Sequence, residues 1–155
     1  MKTLTLLPVL ATLALSSFAH AGGEGWLTDY AKAVKLSKSS GKPILVDFTG
    51  SDWCGWCIKL DNEVFSKPAF KAWAKKNVVL LYLDFPQTKK LPEALKKQNN
   101  MLGQKYKIEG FPTILFLDHK GSVLGKHGYQ EGGPGKWTKT AEGMIAAGKS
   151  KAGSK

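Results

Sequence analysis

The chain predicts an α/β domain in which a central mixed sheet of about four to five strands is flanked by helices. Three observations predict it. Residues 44–48, 78–83 and 113–117 are short apolar runs of strand length. Between the first two runs lies a segment with apolar residues three and four positions apart, and a strand–helix–strand unit of this kind supplies parallel pairing. Asp118-His119-Lys120-Gly121 then reads as a hairpin turn, with a return strand over 122–126 that adds an antiparallel edge.

The N-terminus stands apart from this pattern. Lys2 is followed by an apolar stretch over 4–15, and the segment to Ala21 ends in an A-x-A pattern. These are the three regions of a secretory signal, with cleavage expected after Ala21. The apolar run falls short of the ~20 residues that span a bilayer. A periplasmic or secreted protein is therefore expected, with residues 22–148 as one domain. Residues 149–155 hold Lys, Gly, Ser and Ala with no core residue, and read as a disordered basic tail.

Thr28-Asp29 offers an N-cap to a helix that carries Tyr30, Ala31, Val34 and Leu36 and ends near Gly41. Lys42-Pro43 leads into the first apolar run, and residues 49–52 form a turn. The next helix starts at the Cys54-Gly55-Trp56-Cys57 segment and shows Cys57, Leu60 and Val64 on one face. Ser66-Lys67-Pro68 interrupts the periodicity, so a kinked or broken helix is expected, restarting at Pro68 and ending at Asn77. The run 78–83 reads as a fully buried strand. Residues 86–107 form a long, lysine-rich connection whose helix opens near Pro92 and reaches Tyr106, with a break expected near Asn99-Asn100. Gly132-Gly133-Pro134-Gly135 is a loop, after which Trp137, Ala141, Met144 and Ile145 share a helical face. Five tryptophans and seven phenylalanines supply apolar area for a single core.

Cys54 and Cys57 are the only cysteines. Cys54 falls where a strand gives way to a helix, and unpaired N–H groups and the helix dipole favour an anion there. That setting lowers a thiol pKa and makes the sulfur nucleophilic. A structural bridge across so short a loop removes little chain entropy. Zinc needs about four ligands, and after Ala21 only His119 and His127 could add to the pair, at unsuitable spacing. The residues favour a redox dithiol, with no metal and no cofactor. Cys54, at the helix start and nearer solvent, is read as the attacking cysteine, and Cys57 as the resolving one.

The formal charge is +11, and all 23 basic residues are lysine. Bidentate recognition of phosphate and guanine relies heavily on arginine, so nucleic acid is not an expected partner. The charge fits solubility and attraction to acidic client proteins or anionic surfaces.

Val46-Asp47-Phe48, Trp53-Cys54-Gly55-Trp56-Cys57 and Gly110-Phe111-Pro112-Thr113, in this order, resemble the thioredoxin superfamily. Within it the chain looks most like exported thioredoxin-like proteins and the C-terminal periplasmic domain of the disulfide reductase DsbD, over residues 26–144. The resemblance implies a thioredoxin-like fold and a thiol–disulfide oxidoreductase that reduces or isomerises disulfides of client proteins. It implies an upstream electron donor such as a membrane thiol reductase, and a monomer. Trp53, Gly55, Trp56, Phe111 and Pro112 would contact the client, with a cis Phe111–Pro112 bond opposite the dithiol. Asp47, in an apolar run that raises its pKa, matches a position that handles the proton of Cys57. The alternative is a non-catalytic binding module or copper chaperone that uses the same cysteine pair.

Four features depart from the family pattern. Trp56 replaces the common proline, the segment from Asp47 to Cys54 is one residue longer, and the partner lysine on the neighbouring strand is absent. The 86–107 connection is also longer than in an ordinary thioredoxin.

Overall fold

The computed structural model describes residues 23–154; the expected signal segment lies outside the described residues. A five-stranded sheet has the order β1-β3-β2-β4-β5. β2 (Ile44–Thr49) and β3 (Val79–Asp84) are its central parallel pair, with Asp47 opposite Tyr82. β4 (Thr113–Leu117) runs antiparallel to β2, and β5 (Val123–His127) runs antiparallel to β4 through the expected hairpin. Asp118 closes that turn by accepting the N–H groups of Lys120 and Ser122, each at 2.8 Å. The sequence reading omits β1 (Trp26–Leu27), which pairs with β3 at Leu80 and Leu81. Two residues are too few for a periodicity to register.

Helix α1 (Tyr30–Ser40) begins at Asp29, whose carboxylate accepts the N–H of Lys32, and ends at Gly41. α2 (Gly55–Leu60) passes into a π-helical segment (Asp61–Phe65), and the chain breaks at Ser66 before α3 (Pro68–Asn77). The break falls where Pro68 places it, since proline suits the first turn of a helix and not its interior. α4 (Glu93–Lys105) runs without the break expected at Asn99-Asn100. Asn99 is buried, and its side chain donates to the Asp84 carbonyl at 2.9 Å. A residue with poor helix propensity is thus held by a tertiary contact.

Strand alternation sorts the core into two faces. Ile44, Val46 and Phe48 pack with Leu81, Leu83 and Leu102 on the side of α1 and α4. Leu45, Ile114 and Phe116 point the other way, toward Leu60, Phe65, Phe70 and Trp137. Asp47 belongs by parity to this second face, beneath α2. β3 is less enclosed than expected: Leu80 and Tyr82 are only partly buried, and Tyr82 lines a cavity beneath α2.

The C-terminal tail corrects the sequence reading. Residues 149–153, expected to be disordered, continue α5 (Gly133–Gly153), and the helix starts within the expected Gly132–Gly135 loop. The reason is packing at Gly148, where a Cβ would collide with the Leu124 carbonyl oxygen on β5. Glycine lets the helix backbone lie directly on the strand, and the turns beyond it are carried along. Gly148→Ala, normally favourable inside a helix, is therefore expected to destabilise the protein by ~1–3 kcal/mol through overpacking. An unchanged or raised melting temperature in thermal denaturation would contradict this packing.

Candidate active site

The dithiol sits at the carboxyl end of β2. Residues 50–53 make a tight turn in which the N–H of Cys54 reaches the Gly50 carbonyl at 2.9 Å. This turn absorbs the extra residue between Asp47 and Cys54. Gly50 is required here because a Cβ would lie 2.5 Å from the Trp53 ring. Side chains tie the turn to the β3–α4 connection. Both oxygens of the Asp84 carboxylate are taken by Ser51, from its N–H at 2.9 Å and its hydroxyl at 2.6 Å. The Asp52 carboxylate accepts the N–H groups of Gln87, Thr88 and Lys89 and the Thr88 hydroxyl. These bonds hold its pKa well below the usual carboxylate range.

Cys54 is the N-cap of α2, and its sulfur accepts the N–H of Cys57 at 3.2 Å. The two cysteines form a disulfide with their Cα atoms 5.2 Å apart. Their exposures, 6% and 5%, do not distinguish them in this oxidised state. What does is position: Cys54 receives the free N–H at the helix start, while Cys57 lies one turn inside, against the core.

The two sides of the dithiol differ in chemistry. On the outer side Trp53 and Trp56 are 42% and 58% exposed, and Gly55 is open to solvent. The Trp53 indole donates to the Phe85 carbonyl at 2.8 Å and meets Phe111 edge-on at 5.7 Å. The sheet thus brings the 110–113 motif to the active-site turn, and the Phe111–Pro112 bond is cis. Trp56 packs against Tyr129 at 5.2 Å, and the Lys59 ammonium lies over both rings. Tyr129 in turn donates to Glu63 at 2.6 Å.

Behind the dithiol is a cavity of about 400 Å³ that Cys57 shares with Asp47, Asp61, Tyr82, Ser51 and Lys71. Asp47 is buried and one of its carboxylate oxygens has no hydrogen-bond partner. Burial pushes the Asp47 pKa well up, and the charges of Asp61 and Asp84 push it further. Where the family pattern has a lysine, the register partner of Asp47 is Tyr82, whose own pKa is raised by burial and by Asp84 and Asp47. Asp61 is raised by burial, against the pull of Lys71.

Sequence reasoning did not single out Asp61, Tyr129 or the Asp52 clamp. Asp61 left a signal, since it stands four residues after Cys57 and so on the same helical side. Tyr129 and the Asp52–Thr88 contact join segments far apart in sequence and left none. His119 is exposed in its turn, as expected. His127, at the end of β5, stacks on Trp137 with ring centres 4.8 Å apart, and burial lowers its pKa.

Comparison with known proteins agrees with this geometry. A model described as a thioredoxin-like domain matches residues 30–134. The disulfide bond reductase DsbH of Chlamydia pneumoniae is 40% identical over 104 residues, which is 67% of this chain and 63% of that protein. The thioredoxin-related protein DsbJ of the same organism is 32% identical over 77% of this chain and 34% of its own length. The chain thus spans less than two thirds of either relative. A solved structure of a DsbH oxidoreductase superposes with a TM-score of 0.75 at 31% identity, covering 92% of this chain and 95% of that one. The oxidised C-terminal domain of DsbD from Neisseria meningitidis shares the fold, at a TM-score of 0.52 and 18% identity, over 76% of this chain and 97% of that one. With a domain model matched over most of its length and a dithiol at its strand–helix junction, the chain belongs to the thioredoxin-like family.

Proposed function

We propose that this chain is an exported thiol–disulfide oxidoreductase that reduces or isomerises disulfides of client proteins. The observation that carries the proposal is the closed Cys54–Cys57 pair, with the Cys54 sulfur capping α2 and receiving the Cys57 N–H. In the reduced protein the same N–H meets a Cys54 thiolate and favours it. That thiolate attacks a client disulfide, forming a Cys54–client bond and expelling the other client sulfur as a thiolate. Cys57, once deprotonated, attacks the Cys54 sulfur, closing the internal disulfide and releasing the second client thiolate. The client gains two electrons and the dithiol loses them, so an upstream thiol donor must return them.

The name of the DsbH relative supports the reducing direction. The exposed tryptophans beside Cys54, with Phe111 and Pro112 next to them, offer an apolar platform on which an extended client segment can pair with the Phe111 backbone as an added strand.

Catalytic amounts of the reduced protein should accelerate insulin disulfide reduction by a thiol donor. Stoichiometric copper uptake without any turnover would replace this reading with a binding module. The proposed export rests on the signal-like pattern of residues 1–21. Mass spectrometry of the protein from its native host should show a chain that starts at Gly22, and a retained Met1 would count against export.

A further inference from the structure

The long 86–107 connection is not spare chain. It carries six lysines and a single acidic residue, Glu93. Where it meets the end of β3 it forms an open groove of about 510 Å³, lined among others by Phe85, Lys89, Lys90, Lys96 and Asn99. Two carboxylates border this groove. Asp84 has both oxygens turned to Ser51, and Glu93 sits at the start of α4, where the helix dipole favours it. Among the described residues the one ion pair within 4.0 Å is Lys59–Glu63, so no groove lysine has a carboxylate partner at that distance.

The groove is also fixed to the active site. Asp52, two residues before Cys54, grips three successive backbone N–H groups of the groove loop at 2.8–3.0 Å. Trp53, next to Cys54, donates to the Phe85 carbonyl of the same loop. Whatever occupies the groove is therefore held in register with the attacking sulfur.

We infer that this groove is a docking site for an acidic segment of the client protein, lying close in sequence to the cysteine that is attacked. The inference rests on the exchange reading above and names its preferred substrate class. Lysines without a carboxylate partner around a concave floor, Lys89 among them with only a 3.5 Å bond to the Ser51 hydroxyl, complement carboxylates along an extended peptide. A planar anionic membrane would instead select a convex face. Docking by charge acts mainly on encounter, so it raises kcat/KM at low ionic strength and fades as salt screens it.

The test uses the full chain, reduced, and two disulfide-bonded peptides that differ only in a short glutamate run replaced by glutamines. The wild type is expected to reduce the acidic peptide ~10-fold faster at low salt, at the lower end of what electrostatic steering gives, with the ratio approaching one in high salt. Replacing Lys89, Lys90 and Lys96 together by Gln should bring the ratio to within about twofold of one at low salt. Replacing Lys139, Lys149 and Lys151 of α5 by Gln removes the same charge elsewhere and should keep the wild-type ratio. Equal rates on both peptides, or the same loss in both triple variants, would overturn the groove. So would groove-dependent binding to anionic phosphatidylglycerol vesicles without any peptide preference. If neither peptide is reduced at all, the exchange reading itself fails, which is a separate result.

Discussion

Cys57→Ala is expected to trap client proteins as covalent complexes through Cys54, while Cys54→Ala traps few. Both variants lose turnover by on the order of 10³-fold or more, since residues that act as one unit each remove nearly the whole effect. The products separate them. Without Cys57 the Cys54 thiolate still attacks, and the mixed disulfide then has no internal thiol to resolve it. Without Cys54 the remaining sulfur is a buried thiol one turn inside α2, in contact with the core and away from the helix start. Non-reducing electrophoresis after rapid alkylation reads the difference directly. Equal trapping by the two variants would end the asymmetric mechanism. Because both cysteines are almost equally enclosed as a disulfide, exposure would not predict this asymmetry; the N-cap hydrogen bond does.

The parts of the molecule that were legible in the sequence are those written locally. The run Ile44-Leu45-Val46 and its counterparts in β3 and β4 announce buried strands, Asp29 and Gly41 mark both ends of α1, and Pro68 marks the helix break. The dithiol is legible for the same reason, since its chemistry follows from two cysteines at a strand–helix junction. What escaped depends on contacts between distant segments. β1 is a strand only because β3 offers it a partner, and α5 extends only because Gly148 lies on Leu124. The platform around Trp56 needs Tyr129 from the loop after β5, which no local pattern connects to it. The cavity behind Cys57 was half legible. Asp47 could be picked from an apolar run, but the company of Asp61 and Tyr82 depends on sheet register and helix placement.

That company makes Asp47→Asn the most discriminating single substitution, because it should slow catalysis while stabilising the fold. The buried Asp47 carboxyl holds its proton to a pH well above the ordinary aspartate range. A carboxyl raised in this way is a stronger base than an ordinary aspartate, and it shares a cavity with Cys57. As its carboxylate it is expected to accept the Cys57 proton when that sulfur attacks the mixed disulfide. The amide cannot do so. Resolution of the mixed disulfide should slow ~10²-fold at neutral pH and lose its pH dependence, given the ~10²–10⁴-fold reach of a positioned base. Initial attack by Cys54 should stay within about twofold, since the proton that Asp47 handles belongs to the later step.

Stability moves the other way. In the unfolded chain Asp47 ionises near pH 4, whereas the folded chain keeps the proton through a higher range. Between those two pKa values the folded state binds more protons, so this residue contributes stability at low pH that is lost as pH rises through its folded pKa. The asparagine does not ionise, so its gain in melting temperature over the wild type should grow from about pH 4 upward. One carboxylate oxygen has no partner to lose, so the substitution breaks no hydrogen bond at that atom. Stopped-flow measurement of mixed-disulfide release and melting curves across pH test both halves. A variant that is uniformly less stable and releases client at the wild-type rate would make Asp47 a structural residue.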